Sequence, residues 1–175
     1  VIHRRQRQMC IRDRFASLFG IGLIPFAPGT FGSIFALVVF VALSHFINMF
    51  FATLIIFILS IFVCNEVIRD LKVKDHKAIV IDELVGMWIA LLPATYLFDS
   101  MEERITYAIS ALIFFRFFDI LKVFPIYLID RNLKNAFGIV LDDAIAGLFA
   151  IIPSFLILYF LSVSYTHLRA HETLR

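Results

Sequence analysis

Five apolar runs dominate the chain: Ile34–Ile47, Met49–Cys64, Leu84–Phe98, Ile105–Phe118 and Ala144–Leu161. None reaches the ~20 residues expected of a full membrane span. A helix of about 15 residues rises roughly 22 Å against a ~30 Å hydrocarbon core, so several runs must extend into polar sequence or be covered by neighbours. The pattern predicts an all-α, polytopic membrane bundle of about four to five short helices, with acidic loops on its cytoplasmic side. Ser44-His45 and Asn48 interrupt the first two runs without proline or glycine, and a single helix over Ile34–Cys64 competes with two. No internal repeat, low-complexity tract or linker is visible, so one domain is expected.

Composition agrees with the pattern. Of 175 residues, 61% are apolar and 17% charged, 21 are phenylalanine, and the mean hydropathy is +0.92. These values exclude a disordered chain, a disulfide scaffold and a nucleic-acid-binding arm.

The formal charge of +2 is misleading, because the two ends are related at the level of codons. Gln8-Met9-Cys10-Ile11-Arg12-Asp13-Arg14 can be written CAG ATG TGT ATA AGA GAC AGA, whose reverse complement translates as Ser-Val-Ser-Tyr-Thr-His-Leu, the sequence of Ser162 to Leu168. The inverted repeat resembles a transposase mosaic end used in sequencing libraries, and Arg169 to Thr173 resembles translated adapter. Residues 1–14 and about 162–175 are therefore expected to be translated flanking DNA, leaving 15–161 as the domain. The flanks carry seven of the 16 basic and two of the 14 acidic residues, so the remaining nine basic and 12 acidic residues give −3. His3, His167, His171 and Cys10 fall away with them. Cys64 is left alone, with no disulfide partner and no Cys/His zinc cluster. Cys64 to Arg69 is one residue short of a cysteine-phosphatase loop, and Cys64 reads as an apolar helix residue.

Lysine and arginine placement orients the bundle. Arg69, Lys72, Lys74 and Lys77 follow the second run, and Lys122, Arg131 and Lys134 follow the fourth, so both loops are expected on the cytoplasmic side. The mostly acidic loop of Asp99, Glu102, Glu103 and Arg104 is expected outside. Counting back puts Pro25–Ser33 on the cytoplasmic side too.

Three motif-bearing segments thus face one compartment. Ile24-Pro25-Phe26-Ala27-Pro28-Gly29-Thr30-Phe31-Gly32-Ser33 reads as a fixed loop exposing backbone N–H groups, with Thr30 or Ser33 capping the next helix and a phosphate at its N-terminus. A turn leading the chain into the membrane explains it as well, and the lysine of a P-loop is missing. The second segment, Asp75 to Trp88, sets Asp82-Glu83 at the mouth of an apolar run. Carboxylates at helix N-termini are commonly dipole partners, yet ionisable groups at a membrane border are costly and mark function. Gly86 permits another helix to approach closely there. The third segment holds Arg116, Asp119 and Lys122, spaced to share a helical face, then Asp130-Arg131 and Asp142-Asp143. A structural salt-bridge ladder explains the first trio as well as catalysis does. Asp142-Asp143 is harder to explain, because adjacent carboxylates repel unless a cation joins them.

Asp82, Glu83, Asp119, Asp130, Asp142 and Asp143 place six carboxylates at one membrane face. Oxygen donors without a Cys or His cluster imply a hard ion, and Mg²⁺ shared with a substrate phosphate fits best. Arg116, Lys122, Arg131 and His76 complement a phosphate's charge. The chemistry expected is metal-assisted phosphoryl transfer at the lipid interface.

Taken together, P-x-A-P-G-T-x-G-S, D-H-x-x-I-V-x-D-E-x-x-G-M-W, F-R-x-F-D-x-x-K, P-I-x-x-x-D-R and D-D-x-x-A-G resemble the phosphatidylglycerophosphatase A family over Phe15 to Leu161. The resemblance implies a bacterial inner-membrane, Mg²⁺-dependent phosphatase that converts phosphatidylglycerophosphate to phosphatidylglycerol. Val123 departs from the family's usual proline. The expected roles are Asp82, Glu83, Asp142 and Asp143 for the metal, Asp119 or Asp130 for the attacking water, and Arg116, Lys122 and Arg131 for the phosphoryl charge, with Thr30, Ser33 and His76 as further phosphate contacts. A lipid phosphotransferase and a cation transporter are the competing readings, although transporter sites lie nearer the midplane and between repeats.

Overall fold

The computed structural model describes residues 28–71, 81–124, 126–133 and 135–173, and among these every regular element is helical. The helices are α1 (Pro28–Leu43), α2 (Met49–Leu71), α3 (Ile81–Tyr96), α4 (Met101–Leu121), α5 (Ile126–Asn132) and α6 (Ala136–Thr173).

The interruption after the first run is a true break, so two helices form rather than one over Ile34–Cys64. The Ser44 hydroxyl donates to the Val41 carbonyl at 2.8 Å, and the His45 ring nitrogen Nδ1 lies 3.0 Å from the same oxygen. Such bonds compete with the helical ladder. Asn48 then caps α2, accepting the Phe50 N–H at 3.0 Å, and Tyr96 Oη donates to the same Asn48 oxygen at 2.7 Å, tying the turn to the end of α3. Ser100 and Glu103 begin α4 as half of a capping box, with the Glu103 N–H donating to Ser100 Oγ at 3.2 Å.

Length follows the expectation that the apolar runs borrow flanking sequence. α2 continues to Leu71 and has 23 residues, and α4 has 21. Within α6, Ala136–Val163 is long and apolar enough to cross a bilayer, whereas Gly29–Leu43 and Met49–Asn65 are shorter apolar stretches. α6 itself runs on to Thr173, beyond the Leu161 boundary expected for the domain.

Side-chain placement is that of a protein whose outside is lipid. Phe50, Leu54, Ile58 and Phe62 on α2, and Ile105, Ile109, Ile113 and Phe117 on α4, are exposed. Ser33, Thr53, Ser60, Ser110, Asp142, Asp143 and Ser154 are buried. A contiguous apolar exterior of this kind marks a membrane surface. The buried hydroxyls donate back to their own helices, as Thr53 does to Met49 O and Ser154 to Ala150 O, both at 2.7 Å. In hydrocarbon no water would satisfy them.

α3 is the hub, packed against α1, α2, α4 and α6. It buries residues on every face, from Ile81 and Leu84 through Gly86, Met87 and Trp88 to Leu91 and Ala94. Two long-range hydrogen bonds hold neighbours to it. The Trp88 indole N–H donates to Ala36 O on α1 at 2.9 Å, and Tyr107 Oη of α4 donates to Ala90 O at 3.1 Å. Gly86 fulfils its expected role: a Cβ there would press on the Asp143 carbonyl and the Phe115 ring, and one at Gly147 would strike the Gly86 carbonyl. The α3 and α6 backbones therefore approach closely at these glycines, which brings their acidic residues face to face.

Candidate functional site

Four helices meet at one end of the bundle: α1 and α3 begin there, α4 ends there, and the second turn of α6 lies there. The acids therefore ride on helix ends rather than on loops. Asp82 and Glu83 open α3, Asp119 closes α4, Asp130 belongs to α5, and Asp142 and Asp143 sit inside α6, which begins at Ala136 well ahead of the run read from the sequence. The N-termini of α1 and α3 direct their positive dipole ends at this acidic region.

Arg116 is the centre of one half of the cluster. Its Nη1 lies 2.8 Å from Asp119 Oδ2, 3.3 Å from Glu83 Oε1, and donates to Ser33 Oγ at 3.4 Å. Ser33 Oγ spends its own proton on Gly29 O at 2.9 Å, leaving its lone pairs to the guanidinium. Side-chain exposures of 17%, 15% and 16% for Arg116, Glu83 and Asp119 make this a largely buried network. Even so, Arg116 Nε and Glu83 Oε2 are buried with no hydrogen-bond partner among the described residues. A buried donor and a buried acceptor left open in one ion-pair network are rare and costly, at about 1–3 kcal/mol each.

Gly29 allows this arrangement. A Cβ at that position would collide with Glu83 Oε1 and come within 2.7 Å of Arg116 Nη2, so the first turn of α1 passes directly over the ion pair. Pro28 begins the helix, where a missing N–H is harmless. Neither Thr30 nor Ser33 is therefore an N-cap, contrary to expectation: Thr30 is exposed in the first turn and Ser33 is buried inside the helix.

The other half of the cluster is built on α6. Asp142 and Asp143 are 4% and 5% exposed, and Lys122 Nζ reaches Asp142 Oδ2 at 2.6 Å. Lys122 is the C-cap of α4 in the left-handed region, with φ 42° and ψ 55°, its N–H donating to Phe118 O at 2.8 Å. That backbone turn takes the lysine away from the Arg116 and Asp119 face expected for it. Part of the cation that Asp142-Asp143 requires is thus this chain's own lysine. In both acidic pairs the second residue's N–H donates to the first carboxylate, Glu83 to Asp82 Oδ1 at 3.0 Å and Asp143 to Asp142 Oδ1 at 3.1 Å.

The two halves feel each other's charge. Asp143 interacts electrostatically with Asp82, Asp119, Asp142 and Glu83. Burial, then the adjacent Glu83 charge, pushes the Asp82 carboxyl well above the usual carboxylate range. Burial pushes Glu83 up to about 7, with Arg116 pulling it down and Asp119 adding to the rise. Both groups stand ahead of the apolar run that starts at Leu84. Among the described residues no three acidic, histidine or cysteine side chains converge closely enough to cage an ion. What they offer is one buried and one partly buried acidic pair, oxygen donors only, on facing helices, with a Glu83 oxygen that has no partner among the described residues, and this donor set fits a hard cation.

The remaining expected residues are placed as follows. Arg131 is exposed on α5, where its Nη1 donates to Tyr127 Oη at 3.2 Å, and no described contact joins it to the cluster. Asp130 lies on the same short helix, its side chain outside the described set, and His76 falls outside the described residues altogether. Two neighbours were not expected at the site. Gly29 is one, although its motif had drawn attention to backbone N–H groups rather than to steric clearance. Cys64 is the other, fully buried in α2 within the electrostatic reach of Asp82 and Asp143 and near Ile81, Val85 and Val140.

Fold and site together define a helical membrane protein with a buried acid–base cluster able to take a charged group at one end of the bundle. The family model for phosphatidylglycerophosphatase A matches residues 14–158, and the chain belongs to that family of phosphatases. It is similar to the phosphatidylglycerophosphatase A of Haemophilus influenzae, with 38% identity over 146 residues, covering 82% of this chain and 86% of that protein. Its similarity to the Escherichia coli phosphatidylglycerophosphatase A is 34% over 132 residues, covering 74% and 73%. No solved structure matches the chain.

Proposed function

We propose that this phosphatase removes the terminal phosphate of phosphatidylglycerophosphate, yielding phosphatidylglycerol and inorganic phosphate in bacterial glycerophospholipid synthesis, with Mg²⁺ as cofactor. The observation that carries the reading is the open pair inside the Ser33–Arg116–Glu83–Asp119 network. Among the described residues, Arg116 Nε is a buried donor without an acceptor, and Glu83 Oε2 a buried acceptor without a donor. A phosphomonoester accompanied by a cation satisfies both. The family and its named relatives supply the lipid.

Asp82, Glu83, Asp142 and Asp143 would hold the ion. When bound, Mg²⁺ supplies Lewis-acid charge to the phosphoryl group. Arg116, positioned by Ser33, and Lys122 contribute positive charge to the phosphoryl oxygens, helped by Thr30 and the N-terminal N–H groups of α1. Asp119, held by Arg116 at 2.8 Å, orients the attacking water and takes its proton. Asp130 is the alternative base, and Arg131 and His76 are outer phosphate contacts. Water's oxygen forms the new P–O bond while the bond to the lipid's glycerol oxygen breaks, and that oxygen takes up a proton, the one released from the attacking water through Asp119, and leaves as the hydroxyl of the product. The basic residues between α2 and α3 and those following α4 flank the site's end, which favours a multi-pass inner-membrane protein with its site on the cytoplasmic side.

Phosphate release from phosphatidylglycerophosphate in detergent micelles tests the reading. Release should require Mg²⁺, stop with a chelator and fall about 10²–10³-fold or more in Asp82→Asn, the range for losing one electrostatic stabiliser. Equal release by the variant, or a nucleotide product from an activated lipid, would overturn it.

A further inference from the structure

We infer that one acyl chain of the phospholipid substrate lies in a slot between α1 and α4, directly in line with the Ser33–Arg116 end of the site. The inference rests on the phosphatase reading above and names the part of the substrate that the acidic cluster leaves unexplained.

The slot is a cavity of about 180 Å³ with α1 and α4 as walls and α3 as floor, lined by Leu37, Val41, Ala94, Ala108 and Ile109 among others. Its register is what links it to the chemistry. Ile109 and Ile105 are seven and eleven residues before Arg116, and Phe40 and Ser44 are seven and eleven residues after Ser33. At about 3.6 residues per turn these positions fall on the same stripe of each helix. The seam that carries the Arg116–Ser33 hydrogen bond therefore becomes the slot two turns further into the bundle.

Depth, size and access agree on the occupant. Eleven residues of helix rise ~16 Å, about the length of one extended acyl chain or half of a ~30 Å core, and end at the α1–α2 turn and the start of α4, the end of the bundle opposite the acids. A dry 150 Å³ cavity lined by aliphatic side chains holds about one benzene molecule, so this slot has room for a short run of methylenes. Small residues, Ala94 and Ala108, create the space, and Val41 and Ile109, 48% and 54% exposed, form lips open to the side. A chain can slide in laterally from the bilayer without leaving it. Arg104 and His45 close the far end. The Arg104 Nε–H is engaged by Phe98 O at 2.8 Å, which makes this end a polar stop for an apolar tail.

The test fills the slot in the full-length protein. Ala108→Phe, inside it, and Val41→Phe, at its lip, should each raise KM for long-chain phosphatidylglycerophosphate roughly tenfold, the scale of losing two or so buried methylenes. Turnover of the deacylated headgroup, glycerophosphoglycerophosphate, should be unchanged. Wild-type KM for the long-chain lipid in both folded variants would overturn the inference. A second measurement needs neither variant nor turnover: phosphatidic acid with a photoreactive diazirine in mid-chain is irradiated in micelles with the wild-type protein. Labelling concentrated on residues 37–41 and 105–109, and lost when the same chain carries a phosphocholine headgroup, supports the slot. Labelling of the outward face of α2, or of Ile113 and Phe117 on α4, as strong as that of residues 105–109, or labelling equal for the two headgroups, refutes it. A wild type that labels in the slot but releases no phosphate would refute the proposed activity and leave the lipid site standing.

Discussion

Replacing Gly29 by alanine sets two effects of opposite sign against each other, and the structure decides which wins. In a helix, alanine is favoured over glycine by at most ~1 kcal/mol, so propensity alone makes Gly29→Ala stabilising. The new Cβ, however, would occupy the space of Glu83 Oε1 and press on Arg116 Nη2. Those atoms end flexible side chains, but they are not free to yield: Arg116 is also held by Asp119 and Ser33, and all three charged groups are about five-sixths buried. Moving Glu83 aside leaves a buried charge without its partner, which costs about 3–5 kcal/mol when a pair is broken outright. The net expectation is destabilisation of about 2–4 kcal/mol and a large loss of phosphate release. Unfolding in mixed micelles measures the first quantity. A cycle with Glu83→Ala isolates the cause, because cutting Glu83 back removes the obstacle and should reduce the Gly29→Ala cost by at least about 2 kcal/mol, the coupling expected of residues in one network. A Gly29→Ala protein that is more stable than wild type and fully active would show that α1 does not pass over the ion pair as described.

Three further outcomes are expected. Lys122→Met removes the partner of Asp142, and unfolding should show a loss of roughly 1–3 kcal/mol; Lys122→Gly loses the same ion pair but relieves the left-handed backbone, so it should be the more stable of the two by about 1 kcal/mol. Mg²⁺ at about 100 times its dissociation constant should stabilise the protein by about 2.7 kcal/mol, read as a rise in thermal midpoint that Asp82→Asn or Asp143→Asn largely abolishes; an unchanged midpoint in the wild type would speak against a metal on these acids. Cys64→Ala should keep turnover near wild type, since the thiol is fully buried in α2 and belongs to no nucleophile–base pair; a complete loss of activity in a folded Cys64→Ala protein would reopen a covalent mechanism.

Helical class and the order of the elements were legible because apolar runs of ~15 residues separated by polar turns allow little else. The break at Ser44–Asn48 could only be suspected from sequence, since it is decided by hydrogen bonds to Val41 O and by Tyr96, which arrives from another helix. Gly86 was readable as a crossing point because a small residue one turn into an apolar run has few other uses. The starts of α1 and α6 were not: the apolar runs begin at Ile34 and Ala144, whereas the helices begin at Pro28 and Ala136. Periodicity misses these turns because buried partners, Arg116 for Ser33 and Lys122 for Asp142, make their polar side chains tolerable inside the bundle. The same effect hid the Lys122–Asp142 ion pair. The spacing of Lys122 put it on a face with Arg116 and Asp119, and only the left-handed turn at the lysine itself sends the side chain to α6.

The acids are affordable at this depth because fold and charge are coupled through α3. Gly86 and Gly147 let α3 and α6 cross at backbone contact, which sets Asp82 and Glu83 opposite Asp142 and Asp143. Such closeness would be repulsive on its own, and three contributions offset it: Arg116 on one side, Lys122 on the other, and the N-terminal dipoles of α1 and α3. Arg116 and Lys122 bring two positive charges to five carboxylates: Asp82, Glu83, Asp119, Asp142 and Asp143. Burial raises the Asp82 and Glu83 carboxyls above the normal range, and this deficit adds to the rise. A bound cation removes that deficit without moving a helix, and the crossing that stabilises the bundle is then the same feature that keeps its acids in position for a phosphate.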